Sequence, residues 1–159
     1  MRHRERGDEH VHVQTMNDND RALCATTAGL LRASGSLAMW GLALSFIAGL
    51  VLALTGRSLP SVAWAAYAVV ALIGIPERYM ALRLRLDAEV FASLARGAIN
   101  SLANLDGGLE KLGLRRAADV SRPLAERIVL ARQLMQRHGI AVTVQTVAFA
   151  MGLALQDWR

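Results

Sequence analysis

Charge is what this chain has least of. Only 19% of its 159 residues are charged, where a globular chain averages about 25%. The shortfall is concentrated in three stretches, 33–56, 58–76 and 139–156, that hold no Asp, Glu, Lys or Arg at all. Aromatics make up 5% of the residues and prolines number three. A single cysteine, Cys24, excludes any disulfide within the chain. It has Leu23 before it and no apolar stretch upstream, so it does not read as a lipid-attachment cysteine. Lysine is almost missing: Lys111 stands against 17 arginines, a ratio that reflects GC-rich coding more than chemistry. Uninterrupted apolar runs exclude a disordered chain and argue against a soluble domain.

Hydrophobic residues fill 53% of the sequence. The first run has 24 uncharged residues between Arg32 and Arg57, with Ser36 to Thr55 at its centre. A helix rises about 1.5 Å per residue, so about 20 residues cross a hydrocarbon core of roughly 30 Å. A cleaved signal peptide has a shorter apolar region and a small-residue cleavage site, so this run reads as a retained helix. The second span is Leu59 to Ile75, with Pro60 in a first turn, where its missing N–H costs nothing, and Pro76 at the far end as a potential kink. Gly56-Arg57-Ser58 is too short a link for anything but an antiparallel helical hairpin. Ile140 to Leu155 is long enough for a thin bilayer, although Thr143, Gln145 and Thr146 make it less apolar. A third span is the favoured reading, and a helix on the cytoplasmic side or in the interface is its competitor.

The expected fold is an all-α integral membrane protein. Residues 1–32 read as a polar, largely disordered tail, 33–76 as the hairpin, 77–138 as a cytoplasmic module of amphipathic helices, and 139–159 as the apolar C-terminal segment. The chain from Met16 reads as well as a start as the chain from Met1. Arg21, Arg32, Arg78, Arg83, Arg85 and Arg96 flank one side of the hairpin and Arg57 alone the other. Basic residues favour the cytoplasmic side, which predicts a multi-pass protein of a bacterial inner membrane with its N terminus inside. The same flanks account for the net charge of +5 without nucleic acid, since no basic patch with interleaved aromatics exists.

The module divides at helix signals. One helix runs from Glu77 to about Arg96 and is stopped by Gly97; a short one spans about Asp106 to Leu112; a third starts at Ser121 as N-cap with Pro123 in its first turn and ends at His138-Gly139. The third places Leu124, Ile128, Ala131 and Met135 on one core stripe. The first carries Arg78, Arg85, Glu89 and Arg96 on one narrow stripe and apolar residues on two other sides. Tyr79, Leu82, Leu86 and Val90 form one side, Met80, Leu84 and Phe91 the other. Two apolar sides require two partners.

Three sets of residues stand out. Gly41, Ser45 and Gly49 recur every four residues, the spacing that lets membrane helices approach closely. They fit packing within the chain, against Ala66 and Gly74, or against another chain. Arg83 and Asp87 lie four apart between the two apolar sides and fit an ion pair or a recognition point for a partner. Arg78, Arg115 and Arg116 are candidate contacts for lipid head groups. Site chemistry is thin: His3 and the His-x-His pair His10 and His12 lie on the tail, where such a pair is a weak metal signal, His138 reads as isolated, and no catalytic, metal or cofactor motif stands above background. The expected role is therefore non-enzymatic and without cofactor: an accessory or assembly subunit that binds membrane lipid and a protein partner or its own copies. A holin-like, self-assembling pore is the alternative. A membrane enzyme or carrier with its site among Glu77, Arg83 and Asp87 is a third reading.

Overall fold

The computed structural model describes residues 16–99, 107–108, 110–111 and 123–156. Among them every regular element is an α-helix: α1 (Asp18–Ala33), α2 (Gly35–Thr55), α3 (Ser61–Ala95) and α4 (Leu124–Gln156). Backbone at 107–108 and 110–111 is helical too, in keeping with the short helix expected at 106–112, whose ends lie outside the described residues.

The region expected as a tail is helical from Asp18 onward. Asn17 caps it: its side chain accepts from Asp20 N–H at 2.8 Å, and its own N–H donates to the Asp20 carboxylate at 3.4 Å. This reciprocal box satisfies two N–H groups that a helix start otherwise leaves unpaired. Tertiary packing then holds the helix, since Cys24, Ala28 and Leu31 are buried at successive turns. Residues 1–15 lie outside the described residues. A single-residue break at Ser34 separates α1 from α2, and together they form a rod, Asp18–Thr55, of 38 residues.

Two expected boundaries are absent. Pro76 sits inside α3, so the second span and the helix after it are one element of 35 residues. Gly139 sits inside α4, which joins the third module helix to the C-terminal run in one element of 33 residues. A glycine costs a helix only about 1 kcal/mol relative to alanine, and packing on both sides of it outweighs that. The stop at Gly97 is present: its φ of 71° ends α3, with Gly97 N–H donating to Leu94 O and Ala98 N–H to Ser93 O.

Three helices are therefore long and apolar enough to cross a membrane. They form one bundle in which α3 touches each of the others. The charge-free parts of α2, α3 and α4 lie together at one end, around Leu44, Ala48, Tyr67 and Val70. Their charged extensions and α1 pack around Leu31, Leu84, Ala88, Phe91 and Leu94. The expected stripe of α4 joins this second core, with Ala131 buried and Leu124, Ile128 and Met135 against it. A 35-residue helix is about 52 Å long, some 20 Å more than hydrocarbon can cover, so the charged half must project beyond any bilayer the apolar half occupies.

Candidate functional site: a buried polar junction and an exposed face

The two halves meet at a polar layer. Glu77, on the face of α3 that also carries Ala63, Tyr67, Val70 and Gly74, is fully buried. So are His138 and Gln145 on α4. His138 Nε2 lies 2.9 Å from Glu77 Oε1, within hydrogen-bond reach. Arg78 donates from Nε to Glu77 Oε2 at 2.9 Å and from Nη2 to Oε1 at 3.0 Å. Its Nη2 also donates to Ala38 O on α2. One carboxylate thus gathers α2, α3 and α4. Arg78 cancels its charge locally, which lowers the cost of burying it. Two turns further into the apolar half, Gln145 Nε2 donates to Ser45 Oγ at 2.7 Å and to Val70 O at 3.1 Å.

Small residues make room for these groups. A Cβ on Gly41 would sit 3.0 Å from Glu77 Cδ and 3.2 Å from Gln145 Oε1. One on Gly74 would overlap Ser45 Oγ. Further along, Gly152 lies against the ring of the buried Tyr67, whose hydroxyl donates to Gln156 Oε1 at 3.1 Å. Two buried atoms, His138 Nδ1 and Gln145 Oε1, have no hydrogen-bond partner among the described residues.

His138 is thus not isolated; its carboxylate partner is 61 residues away in the chain. No local spacing reveals such a pair. A clue was present: Gly74, Glu77 and Leu84 lie at 3 and 7 residue steps on α3, and Ala131, His138 and Gln145 at 7 residue steps on α4. Both rows run in phase with core positions on either side. Among the described residues no three His, Cys, Asp or Glu side chains gather as a metal site would need.

The row Gly41, Ser45, Gly49 divides. Gly41 and Ser45 face α3 and α4, and Gly74 is opposite Ser45 as intrachain packing requires. Gly49 has open space where a Cβ would point. Steps of four advance 400° around a helix and drift 40° each time; the buried face of α2 instead follows Gly41, Leu44 and Ala48.

Arg83 and Asp87 pair with each other at 3.7 Å and are not joined to Glu77. Burial pushes the Asp87 carboxyl up from its ordinary pKa, and the Arg83 guanidinium partly opposes this. Arg115 and Arg116 lie outside the described residues. Of the two apolar sides of α3 beyond Pro76, Leu84 and Phe91 are buried. On the other, Tyr79 is 68%, Leu82 59% and Leu86 56% exposed, while Val90 is partly buried against the core. The exposed row continues Leu72 and Ile75 in steps of three and four.

No protein-family model, curated protein or solved structure matches this chain.

Proposed function

We propose that this chain is a non-enzymatic accessory or assembly subunit that docks a partner protein along the bare face of α3. It does so as a multi-pass protein of a bacterial inner membrane with its N terminus in the cytoplasm. The observation that carries the reading is the row Leu72, Ile75, Tyr79, Leu82 and Leu86, which is exposed throughout. Lipid accounts for the exposure of the first two. Tyr79, Leu82 and Leu86 lie among Arg78, Arg83 and Arg85, beyond the charge-free span, where water gives an apolar face a reason to be covered.

The row has the spacing of a coiled-coil seam, which suits a partner helix that leaves the membrane alongside α3. A second copy fits it poorly. Two copies related by an axis along the membrane normal would set α3 parallel to itself, with Arg78 of one copy facing Arg83 of the other. A different protein with acidic residues beside its apolar seam meets both demands. The polar junction supports this reading, because it ties the charged half of α3 rigidly to the half that sits in lipid. Orientation rests on the bias of Arg32, Arg78, Arg83 and Arg85 over Arg57.

A photoreactive residue at Leu82 or Leu86 tests this in the native host. The expected product is one adduct with a distinct integral membrane protein, lost when Tyr79 is also changed to Asp. An adduct of twice the chain's own mass would replace this reading with the self-assembling, holin-like one. Labelling by lipid alone would remove both. Orientation is checked with Arg57→Cys, which an impermeant maleimide should label from the periplasmic side.

A further inference from the structure

Beside the bare face, on the side of α3 turned toward α1 and α2, a groove of about 580 Å³ opens where the first helix breaks. Ser34, Gly35, Ala38 and Ala81 line its floor, and Arg32, Arg78 and Arg85 surround it. We propose that this groove is a binding site for the phosphate head group of an anionic phospholipid. The proposal rests on the membrane reading but not on the protein partner.

Position comes first. Arg32 is the last charge before the first apolar run, and Arg78 follows the second by one residue. The groove therefore lies at the level where hydrocarbon gives way to head groups. Charge comes second. The lining holds three guanidinium groups and one carboxylate, Glu89, which Arg32 engages at 3.2 Å. Arg85 is exposed and unpaired among the described residues. Arg78 is held by both oxygens of Glu77 and by Ala38 O, so its guanidinium is fixed at the groove before any ligand arrives, with part of it still exposed. An arginine held in this way loses less side-chain freedom on binding phosphate.

Shape comes third. The volume falls in the ordinary range for a small-molecule site, about 300–1,000 Å³. Gly35 lines the groove and has nothing within 4 Å of where a Cβ would be, so a larger side chain there has room to enter it. The rim toward the apolar half is Met39, which is exposed, a place for the start of an acyl chain. Phosphate at one end and hydrocarbon at the other is the pattern of a phospholipid and not of a soluble anion. The expectation that Arg78 meets lipid head groups thereby becomes a site shared with Arg32 and Arg85.

The test uses the full chain in vesicles of phosphatidylcholine with one fifth phosphatidylglycerol. Flotation with the vesicles comes first; a chain that does not float overturns the membrane reading and this site with it. Native mass spectrometry after gentle extraction then reads the lipid retained. The expected result is retention of phosphatidylglycerol over phosphatidylcholine. Each of Arg32→Ala and Arg85→Ala should weaken it about fivefold, and Arg57→Ala at the opposite end should leave it unchanged. Gly35→Phe fills the groove without altering any charge and should abolish the preference. Retention unaffected by Gly35→Phe, equal retention of the two lipids, or full displacement by millimolar inorganic phosphate would each overturn the proposal.

Discussion

In the charged half, Leu84, Phe91 and Leu94 of α3 close on Ala28 and Leu31 of α1 and Ala131 of α4. In the apolar half Gly41, Ala48, Ala63, Gly74 and Gly152 share the buried positions with Leu44, Val70 and Tyr67, and Glu77 and Gln145 are buried among them. The membrane insertion proposed above accounts for the difference. Water drives large apolar side chains together, at about 1.5–3 kcal/mol for each one buried. Lipid gives leucine no such reason to leave, so helices there hold by close contact and by hydrogen bonds. The apolar half accordingly turns its large residues outward, Phe46, Leu54, Leu72 and Ile75 among them. On this view the bare Tyr79, Leu82 and Leu86 call for a cover, because they form a row of exposed large apolar residues on the charged half, where Leu23, Leu30, Val129 and Leu130 are exposed too.

The comparison breaks most severely at the junction. Glu77→Ala leaves His138 Nε2 buried without its partner and Arg78 without its carboxylate. Removing one member of a buried pair costs about 3–5 kcal/mol. The double replacement Glu77→Leu with His138→Leu removes the buried pair, although Arg78 still loses its carboxylate, and should cost less than the sum of Glu77→Leu and His138→Leu made singly by about 1–3 kcal/mol. Reversible unfolding in mixed micelles, followed by circular dichroism, measures all three. Additive losses would show that the two side chains act independently and that the layer does not couple α3 to α4.

A smaller effect sharpens the contrast within one helix. Gly41→Leu forces a side chain against Glu77 and Gln145 and should destabilise the bundle by about 1–3 kcal/mol. Gly49→Leu points into open space and should change stability by less than about 0.5 kcal/mol. The same unfolding measurement decides it. Equal losses at both sites would mean that Gly49 is covered by another chain, which favours self-assembly.

Much of this was legible from local signals. The charge-free runs located three membrane-length segments, Gly97 marked a real end, and Leu124, Ile128, Ala131 and Met135 marked a real core face. Gly139 misled because a glycine after His138 resembles a helix stop. Yet Ala131, Leu134, His138, Val142 and Gln145 keep their phase across it, and phase is set by the whole helix while a stop signal is set by one residue. The capping pair Asn17 and Asp20 was also in plain sight, overshadowed by the polarity of the residues around it. Pairing of Glu77 with His138 was not legible, since it depends on how two long helices slide past each other. The Gly41 row was half legible, because its spacing shows in the sequence while its drift off the buried face of α2 depends on which face the bundle covers.

The smallest effect bears on the charged half alone. Asp87 lies on α3 between its buried side and its bare side, with Arg83 one turn back at 3.7 Å. That order, base before acid, is the weaker one along a helix. Burial raises the carboxyl's pKa in the fold, and Arg83 offsets only part of the rise. The folded chain then holds a proton at a pH where the unfolded chain has released it. Stability therefore falls as pH rises from the ordinary carboxylate value through the raised one, and stays lower above it. Asp87→Asn should remove this penalty and stabilise the protein by a few tenths of a kcal/mol near neutral pH, a gain on the scale of a surface ion pair. The gain should vanish below the ordinary carboxylate value, where Asp87 is protonated in both states. A loss at neutral pH would mean that the ion pair contributes more than burial costs. Photocrosslinking at Leu82 in the same variant separates a second role: an unchanged adduct leaves Asp87 a local pair, while a lost adduct with stability intact makes it part of the surface the partner reads.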